Sequence, residues 1–146
     1  MAWAFSVHMQ TDPSAMRVVR RMIRDVVERE GGSAENTWGL ELALGEALFN
    51  AYCHAYASGV GPVEVSVVFD DGTFTLTVRD RGEPASIPAI PETLPHDQKR
   101  LGLFLISAAV DSVDISQNED AIGQGVGITM IKRLQSADNP TQQTAN

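Results

Sequence analysis

The sequence predicts an α+β fold, a two-layer α/β sandwich with helices on one face of a mixed, largely antiparallel sheet. Segments with helical and strand-like patterns come in separate runs: a strand, two helices, a hairpin, an irregular stretch, a helix and two strands. With 43% hydrophobic and 21% charged residues, the chain has the composition of a globular domain. We expect one domain over residues 1–134 and a flexible polar tail over residues 135–146.

The first strand and helix follow from alternation and capping. Trp3, Phe5 and Val7 alternate with smaller or polar residues, which predicts a short half-buried strand. Asp12 offers an N-cap with Pro13 at the first helical position, so a helix begins there and runs to about Glu30. Two glycines then end this helix.

The central helix has a plausible start at Ser33, with Glu35 and Asn36 nearby, and its stretch 40–56 carries a polar stripe on an apolar background. Glu46, Asn50 and His54 are spaced four residues apart and share one helical face. A carboxylate and a carboxamide on a mostly covered helix are unfavourable unless something meets them. The stripe therefore either lines a site or forms an internal polar network. We expect Cys53 to be a small buried filler and His54 to be packed for structure.

A hairpin and a closing α/β segment make up the second half. Alternating apolar residues on both sides of Asp70-Asp71-Gly72 predict the hairpin, which leads into Asp80. Asp80 either caps a turn or faces a site. Four prolines make the next stretch an irregular cover over a functional region. The remaining predictions are a helix over 101–110, strands over 113–115 and 126–134, and a turn over 118–125.

Charge and hydropathy exclude several classes of function. A net charge of −8 argues against nucleic acid as the main partner, because few cations are available for phosphates. No apolar run is long enough to cross a bilayer and no signal peptide is visible, so we expect a soluble cytoplasmic protein without a membrane partner. Within this acidic chain, four arginines of the first helix form a compact strip that is either a solvated face or a docking surface: Arg17, Arg20, Arg21 and Arg24.

Three segments together resemble the GHKL superfamily of ATP-binding domains, which have the Bergerat fold. The stretch 46–56 is similar to the N-box, Asp80-Arg81-Gly82 to the first glycine box, and the stretch 101–106 to the second glycine box. The closest resemblance is to the anti-sigma-factor serine/threonine-protein kinases, whose last strand is similar to residues 125–134. The resemblance covers about residues 3–134, with the motifs in the same order.

The resemblance implies a role for each motif residue. Glu46 would be the general base and Asn50 the one protein ligand of Mg²⁺. Asp80 would accept the adenine amino group, and Gly82 would let the backbone approach the base. Gly102, placed at the start of a helix, and Leu103 would belong to the ATP site, where backbone N–H groups face the phosphates. Charge and position add Lys99 and Arg100 as phosphate contacts. Because the first helix of the similar kinases helps to contact the partner protein, the resemblance also implies Arg17, Arg20 and Arg24 as partner contacts.

The implied function is an anti-sigma regulatory factor that is also an ATP-dependent serine/threonine-protein kinase. It would bind a sigma factor, phosphorylate an anti-sigma antagonist protein, and form a homodimer. Here Glu83-Pro84 and Gln98-Lys99-Arg100 stand where such kinases usually carry further glycines, and Gly127 stands in place of a common threonine. A non-catalytic partner-switching module, with or without bound ATP, is therefore the alternative. An ATPase domain of a histidine kinase is a third possibility, disfavoured because no phosphoacceptor helix is recognisable.

Overall fold

The computed structural model of this chain describes residues 2–83, 89–120 and 123–134. In these ranges a five-stranded antiparallel sheet has the order β1-β2-β3-β5-β4. The strands are β1 (Trp3–Gln10), β2 (Pro62–Asp70), β3 (Thr73–Asp80), β4 (Ser112–Asp120) and β5 (Gly123–Arg133). The helices are α1 (Pro13–Arg29), α2 (Ala34–Asn50) and α3 (Gln98–Ala109), with a π-helical turn at Ala51–Ala55. The α+β prediction is confirmed, and each strand pairing described is antiparallel.

Helix starts agree closely with the capping residues. Asp12 Oδ2 accepts a hydrogen bond from the Ala15 N–H at 3.1 Å, and Pro13 is the first residue of α1. Ser33 and Asn36 form a reciprocal capping box that begins α2 at Ala34, which confirms the predicted helix start at Ser33. These side chains satisfy backbone N–H groups that a helix leaves without partners in its first turn.

The core lies between the helices and one face of the sheet. Alternate residues of β2 are nearly inaccessible, with Val63, Val65 and Val67 only 0–3% exposed, as the hairpin pattern predicts. From α2, Leu40, Leu44 and Leu48 reach the same core at 0% exposure. On the opposite face, Val68 is 41% exposed and pairs with Ala4 and Thr75, so that face of these strands is open.

Three local predictions are wrong. The regular central helix ends at Asn50 rather than at Tyr56, and a π-helical turn follows it. Cys53 and His54 in that turn are exposed rather than packed in the core. Most of the predicted turn at 118–125 is β-hairpin, because Asn118 pairs with Gly125 and the two strands continue past that point. The predicted tail over 135–146 lies outside the described residues, as do residues 84–88 of the predicted cover.

No helix in the described part of the chain has both the length and the apolar character needed to span a membrane.

Candidate functional site

A cleft of about 730 Å³ opens where α1, α2 and α3 meet. Its lining includes all three residues of the polar stripe, Glu46, Asn50 and His54, together with Gly102 of α3. The stripe therefore lines a cavity. Glu46 and Asn50 are half-buried, so their oxygens are held by the helix but remain reachable from solvent.

Gly102 packs directly against the two oxygen-bearing side chains. A Cβ atom built on Gly102 would lie 3.0 Å from Glu46 Oε2 and 3.7 Å from Asn50 Oδ1. The missing side chain thus leaves a small space beside a carboxylate and an amide oxygen. Gly102 therefore brings the second glycine box next to the N-box-like helix.

The expected position of Gly102 at the start of a helix is wrong. Helix α3 begins at Gln98, because Asp97 caps it three residues earlier than predicted: its Oδ1 accepts from the Arg100 N–H at 2.9 Å. Gly102 is therefore inside the helix, where its N–H points along the helix axis to a carbonyl one turn back. Gly102 contributes space to the cleft rather than a free backbone donor.

The π-helical turn connects the cleft to the Asp80-Arg81-Gly82 segment. A Cβ atom on Gly82 would lie 2.0 Å from the Ala55 carbonyl oxygen, so only glycine allows these backbones to touch. The Tyr56 hydroxyl accepts a hydrogen bond from the Arg81 N–H at 2.7 Å and donates to the Pro62 carbonyl. Burial raises the pKa of Tyr56 above its ordinary value of 10.0. The backbone contact with Ala55 is a structural reason for glycine at position 82, in addition to the nucleotide-binding reason that the resemblance implies.

Asp80 ends β3 on the core side of the sheet, opposite to Arg79. Its Oδ1 accepts hydrogen bonds from the Gly82 N–H at 3.0 Å and from the Val126 N–H at 3.2 Å. Gly125 lies so close to the Asp80 carbonyl that a Cβ there would be 1.9 Å from it. Asp80 is half-buried, and no hydrogen bond of its Oδ2 is found among the described residues, so that oxygen can accept from a ligand. Asp80 therefore caps the turn before Gly82, and the adenine contact that the resemblance implies stays a prediction.

The remaining predicted nucleotide contacts lie elsewhere. Leu103 is 2% exposed and packs in the core, one residue away from the cleft-lining Gly102. Arg100 Nε donates to Asp97 Oδ2 at 2.7 Å, and its side chain does not line the cleft. Two hydrogen bonds from Arg100 lower the pKa of the Asp97 carboxyl group, and the bond from the Arg100 backbone N–H has the larger effect. Lys99 is in the first turn of α3, and its side chain lies outside what the structure describes.

Part of the arginine strip lines the cleft. Arg17 and Arg20 line the cleft, whereas Arg24 pairs with Glu41 of α2 at 2.7 Å. Arg20 crosses Gly45, whose Cβ would lie 3.0 Å from Arg20 Nε, and it approaches Glu41 at 3.8 Å. Sequence reasoning left these arginines either on a solvated face or on a docking surface, and did not place them at the cleft. Their position at the cleft depends on how α1 packs on α2, which no local pattern reports.

The oxygen donors suit a hard cation that is bound mainly through its other ligands. In the described ranges, no three His, Cys, Asp or Glu side chains cluster in a way that could hold a metal ion. Mg²⁺ in nucleotide sites usually takes only one or two protein oxygens, with waters and phosphate oxygens supplying the rest. Asn50 Oδ1 beside the space at Gly102 fits that pattern.

Comparisons with known proteins identify the family of this chain. A family model described as the histidine kinase-like ATPase domain matches residues 9–137. The serine-protein kinase RsbW of Oceanobacillus iheyensis is 30% identical over 133 residues, which cover 84% of this chain and 81% of that protein. The anti-sigma F factor of Pasteuria penetrans is 30% identical over 113 residues, covering 72% of this chain and 73% of that protein.

Two solved structures share the fold. The crystal structure of the RsbU and RsbW domains of Rv1364c from Mycobacterium tuberculosis has a TM-score of 0.67 at 23% identity, covering 90% of this chain and 32% of that one. The crystal structure of the SiaB-SiaC complex from Pseudomonas aeruginosa has a TM-score of 0.66 at 14% identity, covering 87% of this chain and 89% of that one. At these identities the likeness concerns the fold alone.

Proposed function

The chain belongs to the histidine kinase-like ATPase domain family, and from this premise we propose that it is an anti-sigma regulatory factor with ATP-dependent serine/threonine-protein kinase activity. It binds a sigma factor and phosphorylates an anti-sigma antagonist protein. The names of the related proteins, serine-protein kinase and anti-sigma F factor, support this assignment. The observation that carries it is the cleft in which Glu46 and Asn50 face Gly102.

Each residue of the site has a separate task in this proposal. Asn50 Oδ1 would hold Mg²⁺, and the absence of a side chain at Gly102 leaves the Glu46 and Asn50 oxygens uncovered on that side. Glu46, one helical turn before Asn50, takes the proton of the acceptor hydroxyl and orients its oxygen. When bound, Mg·ATP supplies the phosphoryl group and the metal charge that offsets the phosphate oxygens.

The adenine end of the nucleotide is assigned to Asp80. Backbone N–H groups of Gly82 and Val126 hold one carboxylate oxygen and leave the other to accept the exocyclic amino group of adenine. Guanine carries a carbonyl oxygen at that position and would meet a second acceptor. The arrangement therefore favours ATP over GTP.

Of the cationic residues, Arg17 and Arg20 are the better candidates for contacts with the phosphates or with an acceptor protein, because both line the cleft. Arg24 belongs to the partner-binding part of the strip, at the side of α1 that faces Glu41. Lys99 and Arg100 remain proposed phosphate contacts. For Arg100 this role requires that its side chain leave Asp97, with which it pairs, and bind a phosphate instead. A homodimer also remains part of the proposal, and sedimentation of the purified chain tests it.

The experiment is transfer of label from γ-labelled ATP to a purified antagonist protein. We expect Glu46→Gln to bind Mg·ATP and to lose most of the transfer, because a neutral amide cannot take the proton of the hydroxyl. Glu35→Gln is the matched control, since Glu35 is an exposed carboxylate in the first turn of the same helix. If Glu46→Gln and Glu35→Gln transfer label equally well, Glu46 is not the general base.

A non-catalytic partner-switching module is the second candidate. It is favoured by Glu83-Pro84 and Lys99-Arg100, which stand where related kinases usually carry flexible glycines. Nucleotide binding by the wild-type chain with no label on the antagonist would select this candidate, whereas labelled antagonist would exclude it.

A further inference from the structure

A second cleft, with a volume of about 600 Å³, lies on the open face of the sheet. Its lining includes His8, Glu64 and Arg79, which are neighbours across β1, β2 and β3 because His8 pairs with Glu64 and Glu64 pairs with Arg79. None of the described residues lines both this cleft and the one that contains Glu46 and Asn50. The second cleft, which we call the back cleft, is therefore separate from the candidate nucleotide site.

The carboxylate of the back cleft already has partners. Glu64 Oε2 lies 3.3 Å from His8 Nε2, and Glu64 Oε1 accepts a hydrogen bond from the Ser66 hydroxyl at 3.2 Å. Both oxygens are thus engaged with side chains of β1 and β2, and the structure pairs neither of them with Arg79 on β3. The arginine beside Glu64 therefore does not share in these contacts.

Arg79 carries a charge that the sheet does not match. This residue is half-buried, and its Nε is enclosed by protein without a hydrogen-bond partner among the described residues. On its other side, Arg79 pairs in register with Gly127, which has no side chain that could supply an acceptor. A partly buried guanidinium without a counter-ion is unfavourable, because burial removes the water that would otherwise solvate its charge. An anionic group that enters the back cleft would reduce this cost.

The rest of the lining limits which anion fits. Met9 and Pro62 add apolar surface to the same cleft, and sites for small molecules usually combine such surface with a few polar groups. Arg81 adds a second positive charge to the lining. Glu64 places a negative charge next to Arg79, so it repels a doubly charged anion more strongly than a singly charged one. The lining therefore suits a group with one negative charge that is joined to an apolar body.

From these observations we propose that the back cleft binds a small organic acid, a carboxylate attached to an apolar group. The Arg79 guanidinium donates charge-assisted hydrogen bonds to the carboxylate, and the apolar group packs on Met9 and Pro62. Arg79 and Arg81 flank Asp80, whose side chain is on the core side of the sheet. The organic acid therefore binds on the reverse side of the strand that ends in the proposed adenine contact, and both ligands can be bound at once.

The test is a titration of the ¹⁵N-labelled full chain with sodium benzoate, followed by NMR. Backbone amide signals of residues 8–10 and 62–64 report on the back cleft, and the enclosed Arg79 Nε–H reports on the guanidinium itself. At equal ionic strength, benzamide keeps the shape of benzoate without its charge, and inorganic phosphate supplies charge without the apolar body. We expect saturable shifts with benzoate, with half-saturation on the order of 1 mM, and at least about tenfold weaker binding of benzamide and phosphate.

Three variants test the charges around the site. Arg79→Gln should weaken benzoate binding at least about tenfold, because it removes the cation that pairs with the carboxylate. Arg133→Gln is the matched control and should bind as the wild type does, since Arg133 is an exposed arginine that pairs with Thr73 at the far end of β3. Glu64→Gln should strengthen binding about threefold, because it removes the neighbouring negative charge and keeps the shape of the side chain. A general loss of structure would weaken binding in both cleft variants and would not give these opposite effects.

Several results would overturn the proposal. These are no saturable shift with benzoate, equal binding of benzamide or phosphate, unchanged affinity in Arg79→Gln, or weaker binding to Glu64→Gln. A dimer that dissociates in Arg79→Gln, together with no benzoate binding, would assign the back cleft to self-association instead. Displacement of benzoate by Mg·ATP would place it in the other cleft and would also overturn the proposal.

The benzoate titrations require neither nucleotide nor phosphoryl transfer. A failed kinase assay with intact benzoate binding would therefore refute the proposed function alone.

Discussion

Replacement of Gly102 by alanine separates the stability of the domain from the function of the cleft. The new methyl group would lie 3.0 Å from Glu46 Oε2 and 3.7 Å from Asn50 Oδ1. The Glu46 contact is closer than nearly all Cβ contacts in proteins, so the Glu46 carboxylate must move by a few tenths of an ångström. The space beside both oxygens would then be filled.

The two effects on stability largely cancel. Alanine in place of glycine inside a helix stabilises it by about 1 kcal/mol. Moving the end of the flexible Glu46 side chain out of its preferred rotamer costs about 0.5–1.5 kcal/mol. The free energy of unfolding should therefore stay within about 1 kcal/mol of the wild type. Affinity for Mg·ATP should fall at least about tenfold, equal to about 1.4 kcal/mol, because the methyl group displaces the Glu46 carboxylate and crowds Asn50 Oδ1, the proposed magnesium ligand.

Gly39→Ala is the matched control with the opposite pattern. A Cβ on Gly39 would also lie 3.0 Å from its nearest neighbour, but that neighbour is the backbone carbonyl oxygen of Ala109, which cannot swing aside. Overpacking of this kind destabilises a protein by about 1–3 kcal/mol. Gly39 does not line the cleft, so affinity should persist.

Chemical unfolding and titration calorimetry with Mg·ATP measure the two quantities for each variant. Wild-type affinity in Gly102→Ala, together with unchanged stability, would refute the reasoning, because the space between the two helices would then play no part in nucleotide binding.

Two further predictions concern groups that position the site. Tyr56→Phe removes the hydroxyl that bridges the Pro62 carbonyl and the Arg81 N–H, so denaturant melts should show a loss of about 1–3 kcal/mol. Competition binding should also show a smaller preference for ATP over inosine triphosphate, because the segment after Asp80 loses its anchor, and an unchanged preference would count against this role. The N-cap of α3 should be sensitive to acid, because contact with Arg100 lowers the pKa of Asp97 in the folded protein. The charged cap therefore stabilises the helix fully at pH values above the ordinary pKa of 3.8. This stabilisation is lost as the pH falls through the lower pKa of the folded state. Hydrogen exchange at the start of α3 should follow this loss in the wild type but not in Asp97→Asn, and identical acid profiles would contradict it.

Local patterns predicted most of the strands and the beginning of α1. The alternating valines of β2 point into the core: Val63, Val65 and Val67. Successive side chains of a strand point to opposite faces of the sheet, so every second side chain faces the helices. Asp12 and Pro13 start α1 because capping acts within one helical turn. These features depend on neighbours in sequence.

The errors occur where distant segments determine the local structure. The π-helical turn after Asn50 places the Ala55 carbonyl against Gly82, a contact between residues 27 positions apart in the chain. Exposure of Cys53 and His54 follows from this turn. The hairpin of β4 and β5 extends through a segment rich in turn-forming residues, because cross-strand pairing outweighs their local preference.

The candidate site also contains some residues that the local sequence predicts and others whose position depends on the packing of distant segments. Glu46 and Asn50 could be identified from their spacing, since one helix places both. The position of Arg17 and Arg20 at the cleft required the packing of α1 against α2. The early start of α3 did have a local signal, the capping residue Asp97, that hydrophobic periodicity alone did not reveal.

Calorimetric titration of ATP into the purified chain, with and without Mg²⁺, tests the central claim most directly when wild type and Asn50→Ala are compared. The wild type should bind ATP more tightly with Mg²⁺ than without it, and Asn50→Ala should lose that gain. No binding by the wild type, or the same gain from Mg²⁺ in both proteins, would contradict the assignment of this cleft to a magnesium-bound nucleotide.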